Sequence, residues 1–300
     1  MRPNRLGLLM PKRILGFILL AFLGITSCKQ RDVFVPSYIH LKPVVLTSNN
    51  QDVQGYPSAK VEDVFVFSNG TTRGLFAIGA DVPLQNTGKT NIRISPAIKY
   101  NGYGEQKAIY PMFNFFEKDI ELTENKVDSV QPIFTYVENA IFPFVEDYDG
   151  NGLQFEYNPQ FKLIGDTIIK DNSDKAWLPG KNSGRVQMGS GASSENILEV
   201  YSKVFTNWPI YTDFYLEMDY KGNIPITVGL YATNAQFETS RVKMYITNPK
   251  EDWNKLYLDL QPEINSRGSN IQYRLFISFN RADVVNPEAW IDNIKIIYLD

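Results

Sequence analysis

Ile271-Gln-Tyr273-Arg-Leu275-Phe-Ile277-Ser-Phe279-Asn280 is the stretch that decides the fold class of this chain. Its odd positions are apolar and, Phe276 apart, its even positions are polar. That period of two marks a strand with one face on a core and one toward water. Phe276 interrupts the polar face, so its side chain is expected to make a contact of its own. Leu216, Met218 and Tyr220 alternate with Glu217 and Asp219 in the same way. Further strand candidates are residues 61–67, 75–78, 91–98, 161–169, 197–205, 226–231, 242–246, 256–260 and 291–298. Turn chemistry separates them at Ser68-Asn69-Gly70, Asn101-Gly102, Asp149-Gly150-Asn151-Gly152, Pro179-Gly180, Lys221-Gly222-Asn223 and Ser266-Arg267-Gly268. No stretch carries a sustained apolar stripe at helical spacing. The expected fold class is all-β, with β-sandwiches built from many short strands. At 300 residues the chain exceeds one small sandwich. It divides into an N-terminal β-sandwich over 36–125, a linker over 126–139 and a second sandwich over 140–300.

The chain opens with Arg2, Arg5, Lys12 and Arg13, followed by an uncharged apolar run over 14–25. This is the layout of a secretory signal, too short for a permanent membrane helix. Ile25-Thr26-Ser27-Cys28 resembles the bacterial lipobox. The resemblance implies removal of a lipoprotein signal peptide over 1–27, acylation (palmitate) of Cys28, and a lipidated tether over 28–35. Acyl chains contribute about 0.8 kcal/mol per buried CH₂, so several of them make a stable membrane anchor. Lys29 stands where an Asp would mark inner-membrane retention, so the outer membrane is the expected location. Asp32 is the only acidic residue close behind, which leaves the periplasmic face and the cell surface both open. Cys28 is the only cysteine, so neither a disulfide nor a catalytic thiol is available. The formal net charge is −3, and removal of a basic leader makes the remainder more acidic. That balance, without a basic stripe, excludes nucleic acid as an expected partner.

Both halves resemble known folds. Pro36-Ser37-Tyr38-Ile39-His40-Leu41, Val61-Glu62-Asp63-Val64-Phe65-Val66 and Ile92-Arg93-Ile94-Ser95-Pro96 resemble the N-terminal domain of a group of Bacteroidota lipoproteins. These pair a small PEGA-like or Ig-like sandwich with a C-terminal jelly roll. Val145-Glu146-Asp147-Tyr148, Asp252-Trp253-Asn254-Lys255-Leu256-Tyr257-Leu258 and Ala289-Trp290-Ile291-Asp292-Asn293-Ile294-Lys295 resemble galactose-binding-like, carbohydrate-binding-module jelly rolls. The resemblance implies architecture first; activity has to be argued from a site.

Asp147-Tyr-Asp149-Gly-Asn151-Gly152 has the opening spacing of a calcium loop, with hard oxygen ligands at alternate positions and glycine at the turn. Position twelve is Asn158 rather than Glu, and the alternative is an ordinary turn before a strand. Asp147, Asp149 and Asn151 are therefore candidate ligands of a structural calcium; no other cofactor is required. Pyranose rings present C–H faces that stack on aromatic side chains. The loop residues Trp177, Trp208 and Tyr211 are accordingly the candidate ligand platform, whereas Trp253 and Trp290 are expected to pack at the core or its rim. Glu217 and Asp219 share one strand face, and paired carboxylates suit glycoside hydrolysis; the bland reading is a solvated strand face. His40 has no Cys or His partner and reads as a surface or packed residue. Asp128-Ser129-Val130 and Asp166-Thr167-Ile168 match an Asp-Ser/Thr-apolar pattern associated with O-glycosylation in exported Bacteroidota proteins, making Ser129 and Thr167 candidates.

These observations lead to an expected lipid-anchored envelope protein that is not an enzyme and that binds a glycan or polysaccharide through its C-terminal sandwich. The alternative is an assembly role in which the domains contact other envelope proteins, with Phe276 at an interface. A glycan-processing enzyme using Glu217 is the third reading.

Overall fold

The computed structural model describes residues 35–162, 164–189, 196–281 and 283–300. The signal peptide over 1–27, the lipidation site Cys28 and all but the last residue of the tether over 28–35 lie outside the described residues.

Residues 37–135 carry β1 (Ser37–Leu41), β2 (Val45–Thr47), a short helix α1 (Gln51–Gln54), β3 (Asp63–Ser68), β4 (Thr71–Ala77), β5 (Asp81–Leu84), β6 (Gly88–Lys99), β7 (Lys107–Ile109), β8 (Phe116–Leu122), β9 (Val127–Val130) and β10 (Ile133–Thr135). A 5-stranded sheet runs β4-β3-β6-β7 with β8 also on β6, a 3-stranded sheet runs β5-β1-β9, and β10 pairs with β2. Alternation directs Val64 and Val66 from β3 and Ile92 and Ile94 from β6 against Ile39 and Leu41 from β1 and Val82 and Leu84 from β5. Residues 126–139, expected as a linker, instead contribute two strands: β9 lies parallel to β1 and β10 parallel to β2. Val130 and Phe134 are buried in this first core. Strands of four and three residues are too short to show alternation, which is why they escape a sequence reading.

Residues 140–299 carry β11 (Ala140–Glu146), β12 (Glu156–Tyr157), β13 (Thr167–Asp171), β14 (Ser183–Gln187), β15 (Ile197–Tyr201), β16 (Phe214–Gly222), β17 (Ile226–Thr233), β18 (Thr239–Ile246), β19 (Lys250–Asp259), helix α2 (Gln261–Arg267), β20 (Gln272–Asn280) and β21 (Ala289–Leu299). They form a 6-stranded sheet, β13-β14-β21-β16-β19 with β11 on β21, and a 5-stranded sheet, β12-β15-β20-β17-β18. Every pairing in both is antiparallel. Leu216, Met218, Leu256, Leu258, Ile291, Ile294 and Ile296 from the first sheet share one core with Leu198, Val200, Val228, Leu230, Leu275, Ile277 and Phe279 from the second. The protein is thus an all-β chain of packed sandwiches.

From Tyr215 to Asp219 the other face of β16 does not meet water. Tyr215, Glu217 and Asp219 are buried, as are Lys255 and Tyr257 on β19 and Lys295 and Ile297 on β21. Cross-strand register puts Glu217 beside both Tyr257 and Lys295, and Asp219 beside Lys255. The first sandwich covers this patch. Tyr110 donates to Glu217 Oε1 at 2.7 Å, Tyr136 to its two oxygens at 3.2 and 3.1 Å, and Ser58 donates to Asp219. Lys255 Nζ lies 3.0 Å from Glu217 and 3.6 Å from Asp219. Lys295 Nζ donates to the Tyr56 carbonyl at 2.6 Å and to Tyr136 at 3.2 Å. A bulge in β21 at Asn293, whose φ is +47°, aims its amide at Asp219 at 2.9 Å while Ile294 stays in the core. Burial raises the Asp219 carboxyl above the usual range and lowers the Lys295 ammonium to about 8. Burial also opposes the charge on Lys255, but Asp219 and Glu217 outweigh it and hold that ammonium above its ordinary value. The glycosidase reading of Glu217 and Asp219 is corrected here: both carboxylates are sealed inside a junction, where they bind ammonium and hydroxyl donors.

A buried carboxylate that loses its cation costs about 3–5 kcal/mol. Lys255→Met is therefore expected to lower the free energy of urea unfolding of the whole chain by that much, whereas Lys89→Met, at an exposed ion pair with Asp119, leaves it close to wild type.

Candidate functional site

The outward face of the 5-stranded sheet carries the most organised polar cluster that remains open to solvent. Because Leu198, Val200, Val228, Leu230, Leu275 and Ile277 point into the core, their neighbours Glu199, Tyr201, Gly229, Tyr231, Arg274 and Phe276 point the other way. Cross-strand register sets Phe276 between Tyr201 and Gly229, and Tyr231 between Arg274 and Arg241.

Glu199 is the anchor. It is fully buried, yet each oxygen is satisfied: Tyr231 donates to Oε1 at 2.6 Å and Asn158 Nδ2 to the same oxygen at 2.8 Å. Arg241 reaches Oε2 through Nη2 at 2.5 Å and Nε at 3.2 Å. The Arg241 guanidinium also lies 4.1 Å from the centre of the Phe276 ring, roofing it. Phe276 fills the space left by Gly229, where an added Cβ would come 2.6 Å from the ring. Burial, then the hydrogen bond to Glu199, pushes the Tyr231 phenol up to about 12, so it remains a donor at neutral pH. One buried carboxylate thereby fixes an amide, a phenol and a guanidinium.

Above this floor lies a groove of about 290 Å³ lined by Asn158, Gln160, Tyr201, Tyr231, Gln272 and Arg274 among others. Arg274 lies 4.4 Å over the Tyr201 ring and 3.4 Å from Glu156. Beyond Arg241 a second depression of about 250 Å³ involves Phe161, Thr227, Lys243 and Ser278. The surface offers aromatic rings together with amide and guanidinium donors, the combination that recognises polyhydroxylated rings.

The residues singled out from sequence are scattered. Trp208 is buried in the second core, stacked on Tyr273 with centroids 4.7 Å apart and on Phe205 at 5.1 Å, so it presents no face to a ligand. Tyr211 is 78% exposed, its backbone N–H bonded to Asn265. Trp177 is half-buried near the junction, 6.3 Å from Tyr56, and its backbone N–H donates to the Ser183 hydroxyl. No platform unites the three. Phe276, expected as a possible protein interface, is buried within its own sheet.

In the calcium-like turn, Asp149 Oδ1 accepts from the backbone and side-chain nitrogens of Asn182 at 2.9 and 3.1 Å, and Lys181 stands 3.4 Å from Oδ2. Asp147 accepts from the Asp149 N–H, and Asn151 is exposed. An ammonium and amide donors occupy positions a divalent cation would need, so the turn does not fit calcium. Among the described residues no group of three or more His, Cys, Asp or Glu could hold a metal ion. His40 pairs with Asp81 at 2.8 Å on the surface. Ser129 is exposed on β9, at the edge of its sheet, whereas the Thr167 hydroxyl is engaged with Tyr157 at 2.9 Å.

Sequence reasoning missed Glu199, Tyr231, Arg241 and Arg274. A signal for Tyr201 and Tyr231 exists: each is an aromatic on the polar face of an alternating strand, as Phe276 is. Glu199 carried none, since an outward glutamate on a strand is ordinary.

No protein family matches the sequence, and no curated protein is similar to it. Solved structures do resemble it. The CBM22-1 xylan-binding domain from Paenibacillus barcinonensis Xyn10C is 9% identical, with a TM-score of 0.38, over 55% of this chain and 98% of that one. A carbohydrate-binding module from the β-sandwich superfamily is 13% identical, with a TM-score of 0.38, over 89% and 97%. The CBM22-1–GH10 modules of Clostridium thermocellum Xyn10B, complexed with xylohexaose, are 10% identical with a TM-score of 0.37, and the chain spans 28% of that structure.

Glu199→Ala would leave the Arg241 guanidinium and the Tyr231 hydroxyl without their shared acceptor. The expected result is a loss of about 3–5 kcal/mol in urea unfolding, with Glu199→Gln, which keeps one acceptor oxygen, losing less.

Proposed function

We propose that this protein is a non-catalytic binding module that holds a saccharide in the groove of the 5-stranded sheet. The observation that carries the reading is Glu199: a buried carboxylate with all its acceptors filled holds Tyr231, Asn158 and Arg241 in place before any ligand arrives. Side chains set in place beforehand lose less freedom on binding, which raises affinity without new contacts. Tyr201 and Tyr231 offer ring surface, and Arg274, Gln272 and Gln160 offer hydrogen bonds to hydroxyls. The carboxylate pair considered for hydrolysis lies in the junction, away from this groove, which favours binding without turnover.

A glycan array followed by affinity electrophoresis tests this. The purified full chain is expected to bind at least one neutral polysaccharide, and Arg274→Ala to weaken that binding about tenfold, the worth of a charge-assisted hydrogen bond of about 1.5 kcal/mol. No saccharide binding at all, or undiminished binding by Arg274→Ala, would remove the reading.

The location is part of the same proposal. Cys28, after its apolar run, is the acylation site that tethers the module to the outer membrane. Radiolabelled palmitate is expected to enter the wild-type protein in cells and to be absent from Cys28→Ala, which would accumulate as the unprocessed precursor.

A further inference from the structure

The 6-stranded sheet is not wholly covered by the first sandwich. Beyond the junction its outward face continues as a row across four strands: Arg185 on β14, Trp290 on β21, Lys221 on β16 and Trp253 on β19. Trp290 is the register partner of both Arg185 and Lys221. Lys221 Nζ lies 5.2 Å from the centre of the Trp290 ring and 5.1 Å from that of Trp253. Lys175, from the loop after β13, sits 4.9 Å over Trp290. Both indoles are fixed by their N–H groups: Trp290 donates to Asp171 at 2.7 Å and Trp253 to the Lys175 carbonyl at 3.2 Å. These cations border a cleft of about 600 Å³ whose lining includes Lys175, Lys221, Lys250, Glu251, Glu288 and Trp290.

The charges in the cleft are unevenly matched. Glu288 is shared between Lys175 at 3.3 Å and Arg185 at 3.5 Å. Among the described residues no ion pair engages Lys221 or Lys250. Burial, followed by the neighbouring Lys175, holds the Lys221 ammonium below the ordinary lysine range. An anion entering between Lys221 and Lys175 offsets both by direct attraction, adding to the more distant pull of Asp171, Asp174 and Asp252.

We infer that this cleft is a second binding site, specific for an acidic saccharide whose uronate carboxylate sits between Lys221 and Lys175. Lysine ammonium groups bind the carboxylate as point charges. Glu251 accepts sugar hydroxyl protons, and the half-buried Trp253 beside Lys221 offers apolar surface to the C–H face. A simple inorganic anion would use only the lysines; a uronate uses all three kinds of group. The site lies on the opposite sheet from the Glu199 groove and shares no residue with it, so either can fail without the other.

The test titrates the full chain with tetragalacturonate and with its fully methyl-esterified counterpart, which keeps the sugar and removes the charge. Calorimetry gives the affinity, and tryptophan fluorescence reports on Trp290 and Trp253 directly. The acid is expected to bind with a fluorescence change and the ester at least tenfold more weakly. Lys221→Gln and Lys175→Gln are each expected to weaken the acid about tenfold, while Arg274→Ala leaves it unchanged. Lys175 is on an exposed loop, so its variant remains informative if Lys221→Gln disturbs folding. Equal binding of acid and ester, absence of binding by both, wild-type affinity in both lysine variants, or loss of the acid in Arg274→Ala alone would each overturn the assignment.

Discussion

Two carboxylates and two ammonium groups lie buried between the sandwiches, and the arrangement of everything else depends on their being satisfied there. Removing ions of this size from water costs several kcal/mol each. The cost is met only because Glu217 is held by Lys255, Tyr110 and Tyr136 together, and Asp219 by Lys255, Ser58 and Asn293. Donors come from both sandwiches, so neither sandwich alone can provide the set. From Tyr215 to Asp219, strand β16 therefore has no solvent face. Leu216 and Met218 are in one core, and Tyr215 joins Tyr257 and Ile297 in the other. Aromatic packing extends the same junction, with Tyr110 against Tyr215 at 5.1 Å and Tyr257 at 4.9 Å. Farther out, Tyr100 donates to Asp259 at 2.7 Å, and the Tyr257 hydroxyl accepts from the Lys60 N–H. The junction thus behaves as an interior.

That junction determines which surfaces remain for recognition. It takes the middle of the 6-stranded sheet and leaves the 5-stranded sheet uncovered, along with the Arg185–Trp290–Lys221–Trp253 end of its partner. Glu199 applies in the open groove the chemistry that Glu217 applies in the junction: a fully buried carboxylate whose oxygens are all occupied. The difference lies in where the donors originate. Around Glu217 the tyrosines come from the other sandwich and close the site. Around Glu199, Tyr231 and Arg241 come from adjacent strands of the same sheet, and Asn158 from just past β12. Their upper sides stay accessible. Rigid donors over a satisfied anchor make a surface suited to binding, and the sealed carboxylates make one suited to holding two domains in register.

The strands were the legible part. All but the first of residues 271–280 form β20, residues 291–298 fall within β21, and the Leu216, Met218 and Tyr220 alternation lies in β16, because a half-buried strand writes its two faces into the sequence. The segment around β9 and β10 was not legible, being too short for a period and partnered by strands some ninety residues earlier (Tyr38 with Val127, for example). At the candidate sites the outcome was poorer. Trp208 in a loop before Pro209 looks like a platform residue, but the loop folds back so that the indole stacks on Tyr273. Tyr201, Tyr231 and Arg274 come from three strands separated by tens of residues, and only sheet register makes them neighbours.

What the amino-acid sequence determined by itself is the all-β class, the longer alternating strands with the turns between them, and which face of those strands is apolar. A period of two distinguishes those faces through side-chain polarity alone, and it does so locally. What only the tertiary structure decided is what each polar face meets. Glu217, Glu199 and Lys221 all read as polar residues on the outward side of a strand. One is sealed beneath a second sandwich, one anchors the floor of a groove, and one stands between two indoles at a cleft. The electrostatic environment of a charge is set by atoms that are distant in the chain, so its solvation, and with it its role, appears only when the sheets are assembled.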